Sequence, residues 1–175
     1  AVQSMVGELA QATNRDQKTT LLELIGSPRI VKLDSVKDLW NYGEPYDSYP
    51  IDTARLRKVV ELVADKGGWG RSVPKGHGLG IAAHRSFVSY IAPIVEVAID
   101  DKGKLTVPRV DTAIDCGTYV NPERIQSQIE GAAIMGLSLA KHGAVTFKDG
   151  KVQQGNFDDC PLLRIDESPA VTNVY

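Results

Sequence analysis

An α+β fold is the class this sequence predicts, on three observations. Up to about residue 70 the apolar spacing is helical. From residue 79 it shifts to runs of strand length. One long, well-capped helical pattern then covers 121–141, giving a mixed sheet of several strands with that helix packed on it and a helical N-terminal portion.

The elements follow in order. Val2, Met5, Val6 and Leu9, with Ala10 alongside, fall on one face of a helix over 2–12. Residues 18–25 form a second short helix, ended by Gly26 and Pro28. Residues 26–52 hold the proline-bearing words GSPRI and NYGEPYDSYPID with Trp40, Tyr42, Tyr46 and Tyr49, which read as an ordered but irregular loop. Asp52 or Thr53 caps the next helix, Leu56, Val59, Val60 and Val63 make its apolar stripe, and Gly67-Gly68 stops it.

After the Gly-rich boundary GRSVPKGHGLG, two strand runs lie in LGIAAHRSFVSYIAPIVEVAID and another in KLTVPRVDTAID. Asp101-Lys102-Gly103 turns between them. Val95, Val97 and Ile99 alternate with Glu96, Ala98 and Asp100, the pattern of a half-buried strand. The long helix has Asn121 as N-cap, Pro122 at the first position and Glu123 where the dipole favours an anion. Its expected inner face is Ile125, Ile129, Ala132, Gly136 and Leu139. AVTFKDGKVQQ is a hairpin with Asp149-Gly150 at its turn, and Val171–Tyr175 reads as a strand.

The 175 residues suit about one domain, and 42% hydrophobic residues suffice for a core, which excludes general disorder. The net charge of −2 offers no basic excess for nucleic acid. No apolar run approaches the ~20 residues of a membrane span. Cys116 and Cys160 form neither a disulfide framework nor a CxxC, which allows a reduced compartment. Both ends of the chain read as cut, so a piece of something larger is expected.

Several residues could carry chemistry. Gly78-Leu79-Gly80-Ile81-Ala82-Ala83 matches a loose dinucleotide fingerprint, but a strand rather than a helix follows, and a flexible turn into that strand is the better reading. Cys116 and His84 could pair as nucleophile and base in a hydrolase, against a default of a buried inert thiol. His77, His84 and His142 share no metal-ligand spacing. Gln126 and Gln128 lie one turn inside the long helix, where solvated positions are the default. A glutamine amide both donates and accepts, which suits an oxo-, thio- or phosphate-bearing ligand lying against the small residues Gly131, Ala132, Ala133 and Gly136.

The series Ala113-Ile114-Asp115-Cys116-Gly117, Val120-Asn121-Pro122, Gln128-Ile129-Glu130-Gly131-Ala132 and Gly136-Leu137 resembles the xanthine oxidase (molybdenum hydroxylase) family, with its D-x-G, N-P and Q-x-E-G words. Gly80–Phe87, Gln154–Asp159 and Leu162–Pro169 resemble the isoquinoline 1-oxidoreductase type of large subunit, whose relatives include aldehyde dehydrogenases. The helix at Val2–Leu9 is similar, more loosely, to the segment after a cofactor-contacting loop of the same subunit.

The resemblance implies a large subunit that hydroxylates N-heteroaromatic compounds or oxidises aldehydes, with water as the oxygen source. It implies a molybdenum–pterin cofactor, in the cytosine dinucleotide form, and a small 2Fe–2S partner subunit, and it allows a homo-oligomer. Gln128 matches the family's cofactor-contacting glutamine. Residues 1–70 would join the two molybdopterin-binding domains, and 71–175 would be part of the second. The family's catalytic glutamate lies in a G-V-G-E motif that this sequence lacks, as it lacks the G-G-x-F-G and M-G-Q loops. Glu123, Glu130 and Glu167 do not match that motif, and Gln17-Lys18-Thr19-Thr20 departs from the family after Arg15-Asp16. No catalytic residue is therefore expected within these residues, and the 175 residues alone should bind no cofactor and turn over no substrate. The rival expectation is a non-catalytic structural or subunit-interaction module, carried by the aromatic loop 38–50.

Overall fold

The computed structural model describes residues 2–33 and 41–175; Trp40 and the start of the 38–50 loop lie outside the described residues. Three helices come first: α1 (Val2–Ala12), α2 (Gln17–Ile25) and α3 (Thr53–Lys66). Strands β1 (His77–Ile81), β2 (His84–Ser86), β3 (Ser89–Ile99) and β4 (Leu105–Asp115) follow. Then come α4 (Pro122–His142), the short hairpin β5 (Phe147–Lys148) and β6 (Lys151–Val152), and β7 (Val171–Val174).

The main sheet runs β1-β3-β4-β7, with β2 paired to the free part of β3. All its pairs are antiparallel except β4 with β7, which is parallel. A parallel neighbour requires a crossover, and α4 lies within it. The α+β expectation is thus met, with helices on both faces of a mixed sheet.

Local chemistry explains the element ends. Asp52 accepts from the Ala54 N–H at 2.7 Å and caps α3. Thr53, the other candidate, instead donates to the Ser27 carbonyl at 2.9 Å. The Arg57 guanidinium donates to the carbonyls of Leu22 and Gly26, adding side-chain donors at the end of α2. Asn121 caps α4 through the Arg124 N–H at 3.1 Å, with Pro122 in the first turn. Asp149 and Gly150 both have positive φ, as a tight hairpin turn requires.

One core joins the helical and sheet portions: Val6, Leu21, Val59, Val60, Val63, Ile81, Tyr90, Ala92, Ile94 and Ala113. Alternation on β3 sends Tyr90, Ala92, Ile94 and Glu96 toward α3. The expected alternation is present, and its buried member here is Glu96, with Val95 and Val97 half-buried. Glu96 can be buried because Arg71 donates to it at 2.5 Å and His77 lies at 2.7 Å. Its carboxyl is held below the usual carboxylate range by the His77 hydrogen bond first, with Arg71 adding to it against the effect of burial.

Two helix faces also differ from expectation. On α1 only Val6 and Ala10 are buried, while Val2, Met5 and Leu9 face out, because the contact with α2 follows one i, i+4 seam. On α4 the inner seam passes through Ile125, Ile129, Ala133 and Leu137, so Leu139 points outward. Gly78 and Gly80 lie inside β1, so the fingerprint-like stretch is strand rather than a turn, and Gly76 (φ 85°) makes the turn instead.

Candidate functional site

The β4–α4 connection is built around Asp115, the last residue of β4. Arg55 on α3 grips it with both prongs, Nε to Oδ2 at 2.8 Å and Nη2 to Oδ1 at 2.6 Å. The Gly117 N–H also donates to Oδ1, at 3.1 Å. Gly117 has φ 76°, which lets the chain turn sharply out of the strand. The Arg55 hydrogen bonds hold the Asp115 carboxyl below its ordinary range despite partial burial. Arg55 also sits 4.6 Å from the centre of the fully buried Tyr90 ring. That ring is fixed in turn: its hydroxyl accepts the Asp52 N–H at 2.7 Å and donates to the Pro50 carbonyl at 3.1 Å.

Two openings flank α4. One, of about 470 Å³, lies at its start and is lined by Leu62, Asp115, Cys116, Tyr119, Ile125 and Gln126, among others. The other, of about 310 Å³, is almost wholly apolar and lies between α4 and the sheet, against Ile91, Val95, Val110, Ile129 and Leu137.

The candidate residues fall in different places. Gln128 is exposed on α4, lines neither opening and makes no hydrogen bond within the described residues. Gln126 spends its amide on Glu130 at 2.8 Å, an ordinary i, i+4 surface pair. One turn beyond Gln128, a Cβ added to Gly131 would meet nothing within 4 Å, and Ala132 beside it is exposed. Gln128 therefore stands over open surface with its donor and its acceptor free, a geometry that accommodates a large polar group.

Cys116 is half-buried and lines the larger opening, while His84 is exposed on β2. β3 separates their strands, so they lie roughly two strand spacings apart, about 10 Å, and form no nucleophile–base pair. No group of three or more His, Cys, Asp or Glu among the described residues could hold a metal ion. No helix of the described residues is long and apolar enough to cross a membrane.

Glu167 ties down the far end of α4. It accepts from Lys141 at 2.6 Å and contacts His142 at 3.3 Å. The Lys141 hydrogen bond, with the Arg164 N–H, pulls its carboxyl down to about 2. Ser138 on α4 accepts the Leu163 N–H at 3.0 Å. Glu167 is thus a structural anchor, in keeping with its mismatch to a catalytic motif. Of the aromatic loop, the described part bonds inward: the Tyr46 hydroxyl donates to the Val31 carbonyl, and Asn41 bonds both Tyr49 and Arg85.

The sheet thus leads into a long helix through one clamped turn, and that helix carries an amide with no hydrogen-bond partner among the described residues. The chain belongs to the molybdopterin cofactor-binding domain family, which matches residues 57–169. Isoquinoline 1-oxidoreductase subunit beta of Brevundimonas diminuta is 35% identical over 117 residues, covering 65% of this chain and 15% of that protein. The membrane-bound aldehyde dehydrogenase (pyrroloquinoline-quinone) of Gluconacetobacter polyoxogenes is 27% identical, covering 96% of this chain and 21% of its own. Reconstituted CO dehydrogenase from Oligotropha carboxidovorans aligns at a TM-score of 0.44 and 27% identity, over 50% of this chain and 11% of that one. The chain thus spans about a fifth or less of the length of the curated relatives it matches. The expected family is borne out.

Proposed function

We propose that this chain supplies one wall of the cofactor site in the large subunit of a molybdenum-dependent oxidoreductase, with Gln128 as its cofactor contact. The free amide of Gln128 over the open surface at Gly131 and Ala132 is the observation that carries this reading. The match of Asp115–Gly117, Asn121-Pro122 and Gln128–Ala132 to the family's words supports it. The enzyme's substrates are N-heteroaromatic compounds or aldehydes, a class supported by the names of the two curated relatives. The cofactor is the cytosine dinucleotide form, and electrons pass to a small 2Fe–2S subunit.

When bound, the molybdenum–pterin group supplies the redox chemistry and polarises the oxygen donor. The contribution of this chain is positional. The Gln128 amide offers one acceptor and two donor hydrogens to polar atoms of the group. Gly131 and Ala132 keep its approach clear of side chains. Asp115 holds the turn that leads into the helix carrying the amide, and Glu167 holds the far end of that helix.

Gln128→Ala in the native enzyme tests this. A neutral hydrogen bond contributes about 0.5–1.5 kcal/mol net, so molybdenum content or turnover should fall up to about tenfold. Unchanged molybdenum content together with unchanged turnover on both substrate classes removes Gln128 from the site.

A subunit-contact role is a second reading, favoured by Val120, Phe157 and Ile165, which are 100%, 92% and 93% exposed. Large apolar groups so placed suit a covering surface. Replacing all three by Ser should leave this chain folded and weaken the assembled enzyme in sedimentation; an unaltered sedimentation profile rejects that role.

A further inference from the structure

We infer that Arg55 and Asp115 are positioning residues that set the pose of Gln128 by locking the turn between β4 and α4. The inference rests on the proposed role of Gln128 for its functional meaning, but its geometry stands separately.

The turn over residues 116–121 is poorly held by everything else. Gly117, Thr118, Tyr119 and Val120 are exposed. The Gly117 N–H to Asp115 is the one hydrogen bond that ties residues 116–120 to the sheet among the described residues. Downstream, α4 buries only Ile129 and Ser138 of its 21 residues, and an opening of about 310 Å³ separates it from the sheet. A helix packed so lightly takes its direction from its ends. Glu167 fixes the C-terminal end through Lys141 and His142, and on the N-terminal side Asp115 holds Gly117, in the turn that leads into the helix.

Asp115 is itself rigid only because the Arg55 fork holds both its oxygens. A two-pronged contact restricts rotation of the carboxylate as well as its place. Arg55 is backed by the Tyr90 ring, and Tyr90 by the backbone at Pro50 and Asp52. Asp52 caps the helix on which Arg55 sits. The chain of contacts thus runs from a fully buried ring in the core to Gly117, in the turn that precedes α4. A lysine at position 55 would keep the charge but lose the fork and the planar stacking. Asparagine at 115 would keep the shape and lose the charge-assisted strength.

Hydrogen exchange on the full chain tests the clamp. In Asp115→Asn and Arg55→Ala, amides of 117 and 126–130 should exchange about tenfold faster, while those of α3 and β3 keep their protection. Arg55→Lys should recover part of that protection. Unchanged exchange at 117 and 126–130 overturns the inference, as does an equal loss across α3 and β3, which would mark a general structural role. Molybdenum retained by the native enzyme supplies the second readout. Asp115→Asn should reduce retention severalfold when Gln128 is present and add little to Gln128→Ala, because the two act through one contact. A loss that adds in full on top of Gln128→Ala overturns the positioning role. If Gln128→Ala retains all its molybdenum while the exchange pattern holds, the cofactor role of Gln128 fails and the clamp stands.

Discussion

The two faces of the sheet are built on opposite terms. On the α3 face, Val59, Val60 and Val63 close against Tyr90, Ala92 and Ile94, all at most 2% exposed. The charged groups there are paired: Glu96 with Arg71 and His77, Asp115 with Arg55, Asp111 with Arg109. On the α4 face a 21-residue helix buries two side chains, leaves an apolar opening and exposes Met135 and Leu139. The first face stabilises the domain by itself. The second keeps its helix placed by end contacts and leaves the surface around Gln128 accessible. On the proposed role of Gln128, stability and binding fall on different sides of one sheet.

Substitutions should expose that division. The largest effect is expected for Ile94→Ala, which deletes a side chain 1% exposed in the α3-side core and should cost about 2–5 kcal/mol in denaturant unfolding. Leu139→Ala, at a position 62% exposed on α4, should stay within about 0.5 kcal/mol. Equal costs at the two sites would abolish the contrast.

Asp111 gives the next effect. It is 1% exposed and accepts from Arg109, from Asn173 at 2.8 Å and from the Tyr175 hydroxyl at 3.0 Å. Asp111→Ala strands those donors and should cost about 1–3 kcal/mol, with β7 amides losing exchange protection first.

Glycines on the two faces should answer in opposite senses. A Cβ at Gly67, between α3 and the sheet, would meet the Val63 carbonyl oxygen at 2.8 Å and Ile94 Cδ1 at 3.1 Å. Gly67→Ala should therefore destabilise by about 1–3 kcal/mol. Gly131→Ala meets nothing and removes a helix-interior glycine, so it should stabilise by up to about 1 kcal/mol while lowering molybdenum content in the native enzyme. A Gly131→Ala protein with full molybdenum content would show that the open surface there is not used.

Acid should affect the α4 side in a defined window. Glu167 has its carboxyl lowered from 4.5 to about 2, chiefly by Lys141. A lowered folded-state value means that its contribution is complete above about 4.5 and is lost as pH falls toward 2. Amide exchange at the C-terminal end of α4 should accelerate through that window, and Glu167→Gln should remove the pH dependence.

The sequence disclosed the elements better than their faces. Asn121-Pro122 and Asp149-Gly150 carry local hydrogen-bond and φ requirements, so those boundaries could be read directly. The buried place of Glu96 could not, because its partners Arg71 and His77 are 25 and 19 residues away. The Arg55–Asp115 fork spans 60 residues and likewise has no local signature. On α4, Ile125 and Ile129 face inward as expected and Ala132 and Gly136 line the opening beside the sheet, whereas Leu139 departs, since a helix that buries so little gives its apolar pattern little to report. Gln128, the proposed cofactor contact, is singled out by its motif alone, because an exposed amide has no pattern of its own.

The parallel pairing of β4 with β7 bears on how the chain is assembled. Arg109–Thr112 of β4 pair with Val171–Val174, 62 residues further along, so this edge of β4 can gain its partner only after the intervening chain has been made, on the order of several seconds at ribosomal rates. Bare edges recruit strands indiscriminately. Asp111 lies in the middle of this one, and only a partner presenting donors where Asn173 and Tyr175 stand can complete its hydrogen bonds. Any other strand would leave a carboxylate buried and short of two partners. The same side chain that secures the finished sheet is thus matched to the strand that completes it.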